Sequence, residues 1–223
     1  MSDAVLTTTP RLSVLVALLP ILGIVLIAFG VAVVVLAVQG RNTVTSELKQ
    51  QQITGTPDMT PAAITAEVNK AGLKNVSIPS CDVAGKAITN GSDARCFAQY
   101  MNIHALLATG GYVYSQMGIY TAKPGTPKSQ LEPGGGTNNT AYAATDPKTG
   151  LPVQNEARNV WVTETALSTA LNVSYMATQL ALFSLVVGVA LLLTGVGFIV
   201  LALGALPKRG SEQAVPEPTP VPA

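Results

Sequence analysis

The chain has 223 residues, of which 48 % are hydrophobic and only 11 % are charged. Soluble domains carry about 25 % charged residues, so this composition indicates a membrane protein and argues against an ordinary soluble enzyme. The formal net charge of +1 provides no basic surface for binding nucleic acid, and we expect no nucleic-acid partner.

Two long uncharged blocks predict transmembrane helices, at residues 12–38 and 180–206. Each block would form about 40 Å of helix, which is more than a hydrocarbon core of about 30 Å requires. The first block is nearly twice as long as the apolar region of a secretory signal peptide, so we expect it to be a span and not a cleaved leader.

Basic residues beside the spans predict the orientation of the chain in the plasma membrane. Arg11 precedes the first span, and Lys208 and Arg209 follow the second. Because positive charge is enriched on the cytoplasmic side, both termini are expected to be cytoplasmic. The predicted organisation is a cytoplasmic tail (1–11), a first span (12–38), an extracytoplasmic domain (39–179), a second span (180–206) and a Pro-rich cytoplasmic tail (207–223).

The chain has only two cysteines, Cys81 and Cys96, and both lie in the predicted outer domain. An even number of cysteines in an oxidising compartment favours a disulfide. The bond would close a loop of about 15 residues and stabilise the fold by about 3 kcal/mol in the chain-entropy model.

The outer domain is predicted to be mainly α-helical. Thr60 followed by Pro61 is typical of a helix start, so we expect a short helix over 61–71. Ser92 or Asp93 is expected to cap a second helix that ends at Thr109. Ten of the thirty residues in 123–152 are Gly or Pro, which predicts a loop that is either flexible or a contact surface.

A third helix is expected to begin near Asn155 and to continue through the second span, because no Gly or Pro interrupts 156–187. Four glycines lie in that span, and their spacing indicates general helix packing or, alternatively, specific dimerisation. The predicted fold class is therefore mainly α, with two transmembrane helices that extend outward into a small domain joined by one disulfide.

The sequence offers few groups for chemistry, and no catalytic residue, metal site or cofactor is predicted. His104 is the single histidine and the one functional candidate; the alternative is a hydrogen-bonded structural histidine. Trp161, the single tryptophan, is expected to pack in the core. The carboxylates of Asp58, Asp82, Asp93 and Glu164 are separated by unrelated sequence, so no pair is marked for acid–base work.

Several segments resemble a family of small actinobacterial membrane proteins with two spans and an intervening outer domain. The segments are 52–54 (QIT), 98–106 (AQYMNIHAL), 109–111 (TGG) with Tyr114, 165–167 (TAL) and 172–177 (NVSYMA). Members of that family are often labelled aromatic ring-opening dioxygenases, which implies an iron site. Extradiol dioxygenases bind iron with two histidines and one carboxylate, and this chain has one histidine, so we interpret the label as a misannotation.

The leading hypothesis is a non-enzymatic protein of the cell envelope, an accessory or scaffold subunit that makes contacts through its extracytoplasmic domain. Its expected partners are the lipid bilayer and other membrane proteins or a second copy of itself. Two alternatives remain: an iron-dependent dioxygenase that uses His104, as the family label implies, and a ligand-sensing membrane module.

Overall fold

The computed structural model describes residues 10–205, with side chains described for 18–204. Within those residues the chain is mainly helical and has no β-strand beyond isolated bridges. The four α-helices are α1 (Pro10–Gln50), α2 (Pro61–Lys70), α3 (Gly91–Ala108) and α4 (Glu156–Ala205). The predicted fold class is confirmed: two of these helices are long and apolar, and the disulfide is present.

The chain divides into two compact units, which are described separately. One unit contains the described residues of 10–38 and 182–205, from the apolar parts of α1 and α4. Their mean hydropathy reaches 3.2 in α1 and 2.7 in α4, so both helices are long and apolar enough to cross a membrane. The other unit is Gln39–Ala181 and contains α2, α3 and the remaining parts of α1 and α4.

The apolar parts of α1 and α4 pack together through paired glycines. A Cβ atom added to Gly23 would lie 2.7 Å from the carbonyl oxygen of Gly195, and one added to Gly30 would lie 2.9 Å from that of Gly188. The glycines are seven residues apart on each helix, so the pairs lie two helical turns apart and the helices run antiparallel. Close backbone approach of this kind is how small residues hold membrane helices together.

The core of the unit Gln39–Ala181 is built around α3. Buried side chains from five parts of the chain meet there: Leu48 from α1, Ile64 and Val68 from α2, Val83 and Ile88 from the following segment, Phe97, Tyr100 and Ile103 from α3, and Leu171 from α4. This arrangement follows from helical periodicity, since residues three and four apart lie on one face of a helix.

The disulfide joins Cys96 on α3 to Cys81 in the preceding segment, with the two Cα atoms 6.1 Å apart. Next to it, the fully buried Tyr100 donates a hydrogen bond from its hydroxyl to the carbonyl oxygen of Cys81 at 2.7 Å. The covalent bond and the hydrogen bond both fix the segment before α3 against the second and third turns of that helix.

The helix starts agree with the sequence prediction for α2 and differ for α3. Thr60 caps α2, and its side chain accepts a hydrogen bond from the backbone N–H of Ala63 at 3.2 Å. The predicted cap of α3 at Ser92 or Asp93 is wrong, because Asn90 has the extended backbone and accepts from the backbone N–H of Asp93 at 3.0 Å. Asp93 instead lies in the first turn, where a negative charge interacts favourably with the helix dipole.

The Gly/Pro-rich segment 123–152 is folded by backbone hydrogen bonds. Isolated bridges pair Ala122 with Ala143 and Thr145 with Pro152. Short 3₁₀ turns lie at Lys128–Gln130 and Thr140–Tyr142. Glycines that carry positive φ angles, such as Gly135 at 84°, allow the sharp turns between these pairings. The segment is therefore a compact layer of turns.

Candidate functional site

The structure brings His104 together with two carboxylates, and we call these three residues the His104 cluster. The Nε2 atom of His104 lies 2.7 Å from Oδ2 of Asp58. One oxygen of Glu67 completes a group in which all three side-chain atoms lie within 4.8 Å of one another. Asp58 precedes α2, Glu67 lies on α2, and His104 lies on α3. The sequence candidate His104 is therefore hydrogen-bonded and also carries a second acidic neighbour.

Each member of the His104 cluster is adjacent to a buried side chain. Asp58 precedes Met59, which is 1 % exposed, and Glu67 precedes Val68, which is 5 % exposed. His104 lies between two buried residues of α3, Ile103 and Ala105. The cluster thus lies at the edge of the core, where the backbone of each member is fixed by packing while its functional atoms reach solvent.

The pKa of Asp58 is lowered from its ordinary value of 3.8. Burial alone would raise the pKa, but hydrogen bonds from the Thr56 side chain and from the Asp58 backbone lower it, as does attraction to the imidazole of His104. The carboxylate is therefore ionised at neutral pH and is available as a hydrogen-bond acceptor or as a ligand.

A groove of about 620 Å³ lies between α3 and the first turns of α4, and the imidazole of His104 forms part of its wall. Glu164 lies in the same groove and is 6 % exposed. Its Oε1 atom accepts hydrogen bonds from the hydroxyl of Ser168 at 2.6 Å and from the amide of Asn102 at 3.5 Å. Glu164 forms no ion pair with another residue of the described chain, so neutral donors alone satisfy this buried carboxylate.

Aromatic side chains make the main contacts of the first turns of α4. Trp161 is 7 % exposed, and its Nε1–H donates to the carbonyl oxygen of Tyr112 at 2.9 Å. The predicted core role of this tryptophan is confirmed. The guanidinium of Arg158 lies 3.9 Å from the ring centroid of Tyr114, which is close enough for a cation–π interaction.

The opposite side of α4 presents a row of exposed side chains that we call the α4 stripe. Its members share a spacing of alternately four and three residues, and they are Val162, Ala166, Thr169, Val173 and Met176. Val162, Val173 and Met176 are 54 %, 57 % and 68 % exposed. The spacing places the side chains on one face of the helix, and it is the spacing found in helix-pairing seams. No residue from 165 to 207 is charged.

A larger groove of about 810 Å³ lies between residues 72–80 and α3. Its lining contains one titratable side chain, Lys74, and otherwise amides, hydroxyls and aliphatic groups. Neither His104 nor its two acidic neighbours line it, so this groove and the His104 cluster are separate features of this domain.

The sequence identifies His104 as a candidate and Asp58 as one of several unpaired carboxylates, but it does not predict that Asp58 and Glu67 lie beside His104. Asp58 and Glu67 are 46 and 37 residues from His104, and no motif links them. One signal was present: Thr60 and Pro61 fix the start of α2, so Glu67 must lie on the same helix as the apolar residues Ile64 and Val68, which pack on α3. The face on which α2 meets α3 was not deducible from that pattern.

Together these features define a class of protein: a disulfide-linked α-rich domain joined to two apolar helices that are each long enough to cross a membrane. No family model, no curated protein and no solved structure matches the chain. The His104 cluster does not fit the iron site of a ring-opening dioxygenase. That site requires two histidines, and the cluster contains the single histidine of the sequence.

Proposed function

We propose that this chain is an accessory or scaffold subunit of the cell envelope. In this proposal the two apolar helices anchor it in the plasma membrane with both termini in the cytoplasm, and the domain within 39–179 is extracytoplasmic. The basic residues at 11, 208 and 209 support this orientation through the positive-inside rule. The disulfide also supports it, since disulfides persist outside the reducing cytoplasm.

The observation that carries the proposal is the α4 stripe. A soluble surface helix is expected to expose polar side chains on the face away from the core. The α4 stripe instead exposes two valines, one alanine and one methionine at helix-pairing spacing, with one threonine among them. Exposed apolar side chains grouped on one face of a helix are typical of an interaction site.

The partner that fits the α4 stripe is a helix of another membrane protein, running alongside α4. No residue from 165 to 207 is charged, so α4 itself offers an uncharged helix an uncharged surface. The guanidinium of Arg95 on α3 lies over the ring of Tyr175, at the edge of the stripe. The stripe also ends at Met176, four residues before the apolar segment 180–206 begins. A second copy of this chain is the competing occupant.

Site-directed photo-crosslinking in native membranes tests the proposal. Both natural cysteines are bonded to each other, so Thr169→Cys introduces a single free thiol in the α4 stripe, to which benzophenone maleimide can be attached. Thr163→Cys is the matched control: it is an exposed threonine of the same helix, but its position is about 120° away around the axis.

We expect illumination of the Thr169→Cys protein to give one protein adduct of defined mass, which the Thr163→Cys protein does not form. Mass spectrometry of the adduct identifies the partner and the helix that touches the stripe. An adduct of twice the mass of this chain would identify a homodimer and would contradict the accessory role. Adducts with lipid alone, or equal adducts from both variants, would also contradict it.

A further inference from the structure

We propose that the His104 cluster is a binding site for a divalent transition-metal ion, with Asp58, Glu67 and His104 as its three protein ligands. The site goes beyond the proposed scaffold role, because it lies on the α2–α3 side of the domain and shares no residue with the α4 stripe. Its structural effect would be to link the loop before α2, α2 itself and α3 through one ion.

The geometry of the three side chains is close to that of a metal site. Ligand atoms around a tetrahedral zinc ion lie about 3.4 Å apart, given metal–ligand bonds near 2.1 Å. His104 Nε2 and Asp58 Oδ2 are already 2.7 Å apart, and no pair in the cluster exceeds 4.8 Å. Glu67 is exposed at the surface of α2, so its side chain can close the remaining distance by changing rotamer.

The charges around the cluster favour a cation. Two of the three side chains in the cluster are carboxylates, and the third is an imidazole. The one ion pair of the described chain joins His104 to Asp58, so Glu67 has no lysine or arginine within ion-pair distance. The basic residue nearest to it in sequence, Lys70, is one helical turn away and does not pair with it. A bound cation would neutralise this carboxylate.

The identity of the ligands selects the class of ion. Imidazole nitrogen suits zinc, copper, iron and nickel, whereas calcium and magnesium prefer ligand sets made of oxygen alone. Three protein ligands leave the fourth position of a tetrahedral zinc ion open to water, which matches the partial exposure of His104 and Asp58 (26 % and 28 %). Zinc is therefore the probe of choice.

The site is also held in place before any ion binds. The carbonyl oxygen of Asp58 accepts the backbone N–H of Thr60, the capping residue of α2, at 2.8 Å. Buried residues adjoin each ligand in the sequence. The backbones of Asp58 and His104 are therefore already in position when a metal ion binds, which lowers the conformational entropy lost on binding.

The test is calorimetric titration of the full-length chain in detergent micelles with zinc chloride, after chelator treatment and without a histidine tag. The variants are Glu67→Gln and His104→Ala. The matched control is Glu47→Gln, an exposed carboxylate that belongs neither to the cluster nor to the groove that His104 lines. Glu67 is exposed, so its variant removes a ligand without opening the core. A parallel titration with magnesium chloride tests selectivity.

We expect one zinc ion per chain in the micromolar range, a melting temperature that rises with zinc concentration, and no comparable binding of magnesium. Each cluster variant should bind zinc about 100-fold more weakly or not at all, since even the groups that only orient metal ligands contribute 10- to 100-fold in affinity. The Glu47→Gln control should bind as the native chain does. Binding confined to millimolar zinc, or equal binding by native chain and cluster variants, overturns the proposal.

Discussion

At the scale of single residues, the buried phenol of Tyr100 links pH to the stability of the domain. Its hydroxyl donates to the carbonyl oxygen of Cys81 at 2.7 Å, and burial together with the negative charge of Asp82 raises the pKa of Tyr100 above its ordinary value of 10.0. In the unfolded chain the phenol ionises at its ordinary pKa. In the folded chain the phenol of Tyr100 keeps its proton to higher pH. Its contribution to the free energy of unfolding is therefore complete below pH 10.0 and falls as the pH rises above that value.

We expect Tyr100→Phe to lower the free energy of unfolding by about 1 kcal/mol near neutral pH, because the carbonyl of Cys81 loses its hydrogen-bond donor. Above pH 10.0 the difference between the native chain and the variant should narrow. Urea unfolding in detergent, followed by the fluorescence of the single tryptophan Trp161, measures both quantities. A difference that stays constant up to strongly alkaline pH would contradict the assignment.

Contacts between single residues are also the features that the sequence predicts least well. Cys81 and Cys96 were predicted to pair because no other cysteines exist, and the bond is confirmed. His104 was singled out because it is unique, yet its two acidic neighbours were not foreseen. Such contacts depend on the packing of α2 against α3, and packing is set by side-chain shapes that no spacing rule encodes.

At the scale of secondary-structure elements, α3 begins earlier than the sequence predicts. Its capping residue is Asn90 and not Ser92 or Asp93. Asn90 accepts the backbone N–H of Asp93, whereas Ser92 lies inside the first turn. We expect Asn90→Ala to destabilise the domain by about 1 kcal/mol, since a lost cap leaves a backbone donor without a partner. Ser92→Ala should change the stability by less than about 0.5 kcal/mol, as surface substitutions usually do.

The same tryptophan-monitored unfolding measures the two capping variants. The ratio of their effects is the informative quantity, because both replace a small polar residue by alanine within three positions of each other. A larger loss from Ser92→Ala than from Asn90→Ala would contradict the observed cap and would restore the one that the sequence pattern favoured.

The elements that the sequence predicted well are those with strong local signals. Thr60 followed by Pro61 marks the start of α2 correctly, and the uninterrupted run after Asn155 gives α4. The structure of the segment 123–152 is harder to predict, because several of its bridges pair residues that are far apart in the sequence, such as Ala122 with Ala143. Glycine and proline indicated turns there, but the hydrogen bonds between turns depend on contacts that composition does not reveal.

At the scale of the whole molecule, hydropathy predicted two apolar helices but not how they meet. From the sequence, Gly188 and Gly195 have two possible roles, general helix packing and specific dimerisation, since neither belongs to a Gly-xxx-Gly pair. The structure pairs them with Gly30 and Gly23 of the same chain. A seven-residue spacing of glycines predicts a helix contact only when both helices have it and the helices run antiparallel. Neither span alone therefore predicts the pairing.

The paired glycines allow the two apolar helices to approach closely, so a larger side chain at one of them should increase the distance between the helices. A Cβ at Gly195 would lie 2.7 Å from the carbonyl oxygen of Gly23 and 2.8 Å from the side chain of Ile27, so Gly195→Leu must separate the helices. Gly197 has no neighbour within 4 Å of an added Cβ, so Gly197→Leu is the matched control on the same helix, with the same added volume.

Pulsed electron paramagnetic resonance can measure the effect between spin labels on the exposed positions Val25 and Leu193. Small residues allow membrane helices to approach closely, whereas ordinary helix pairs stand 8–10 Å apart. We therefore expect Gly195→Leu to lengthen or broaden the distance distribution, and Gly197→Leu to leave it unchanged. If both variants keep the native distance, the glycine contacts do not hold the helices together. If both lengthen it, the added apolar volume and not the Gly23–Gly195 contact is responsible.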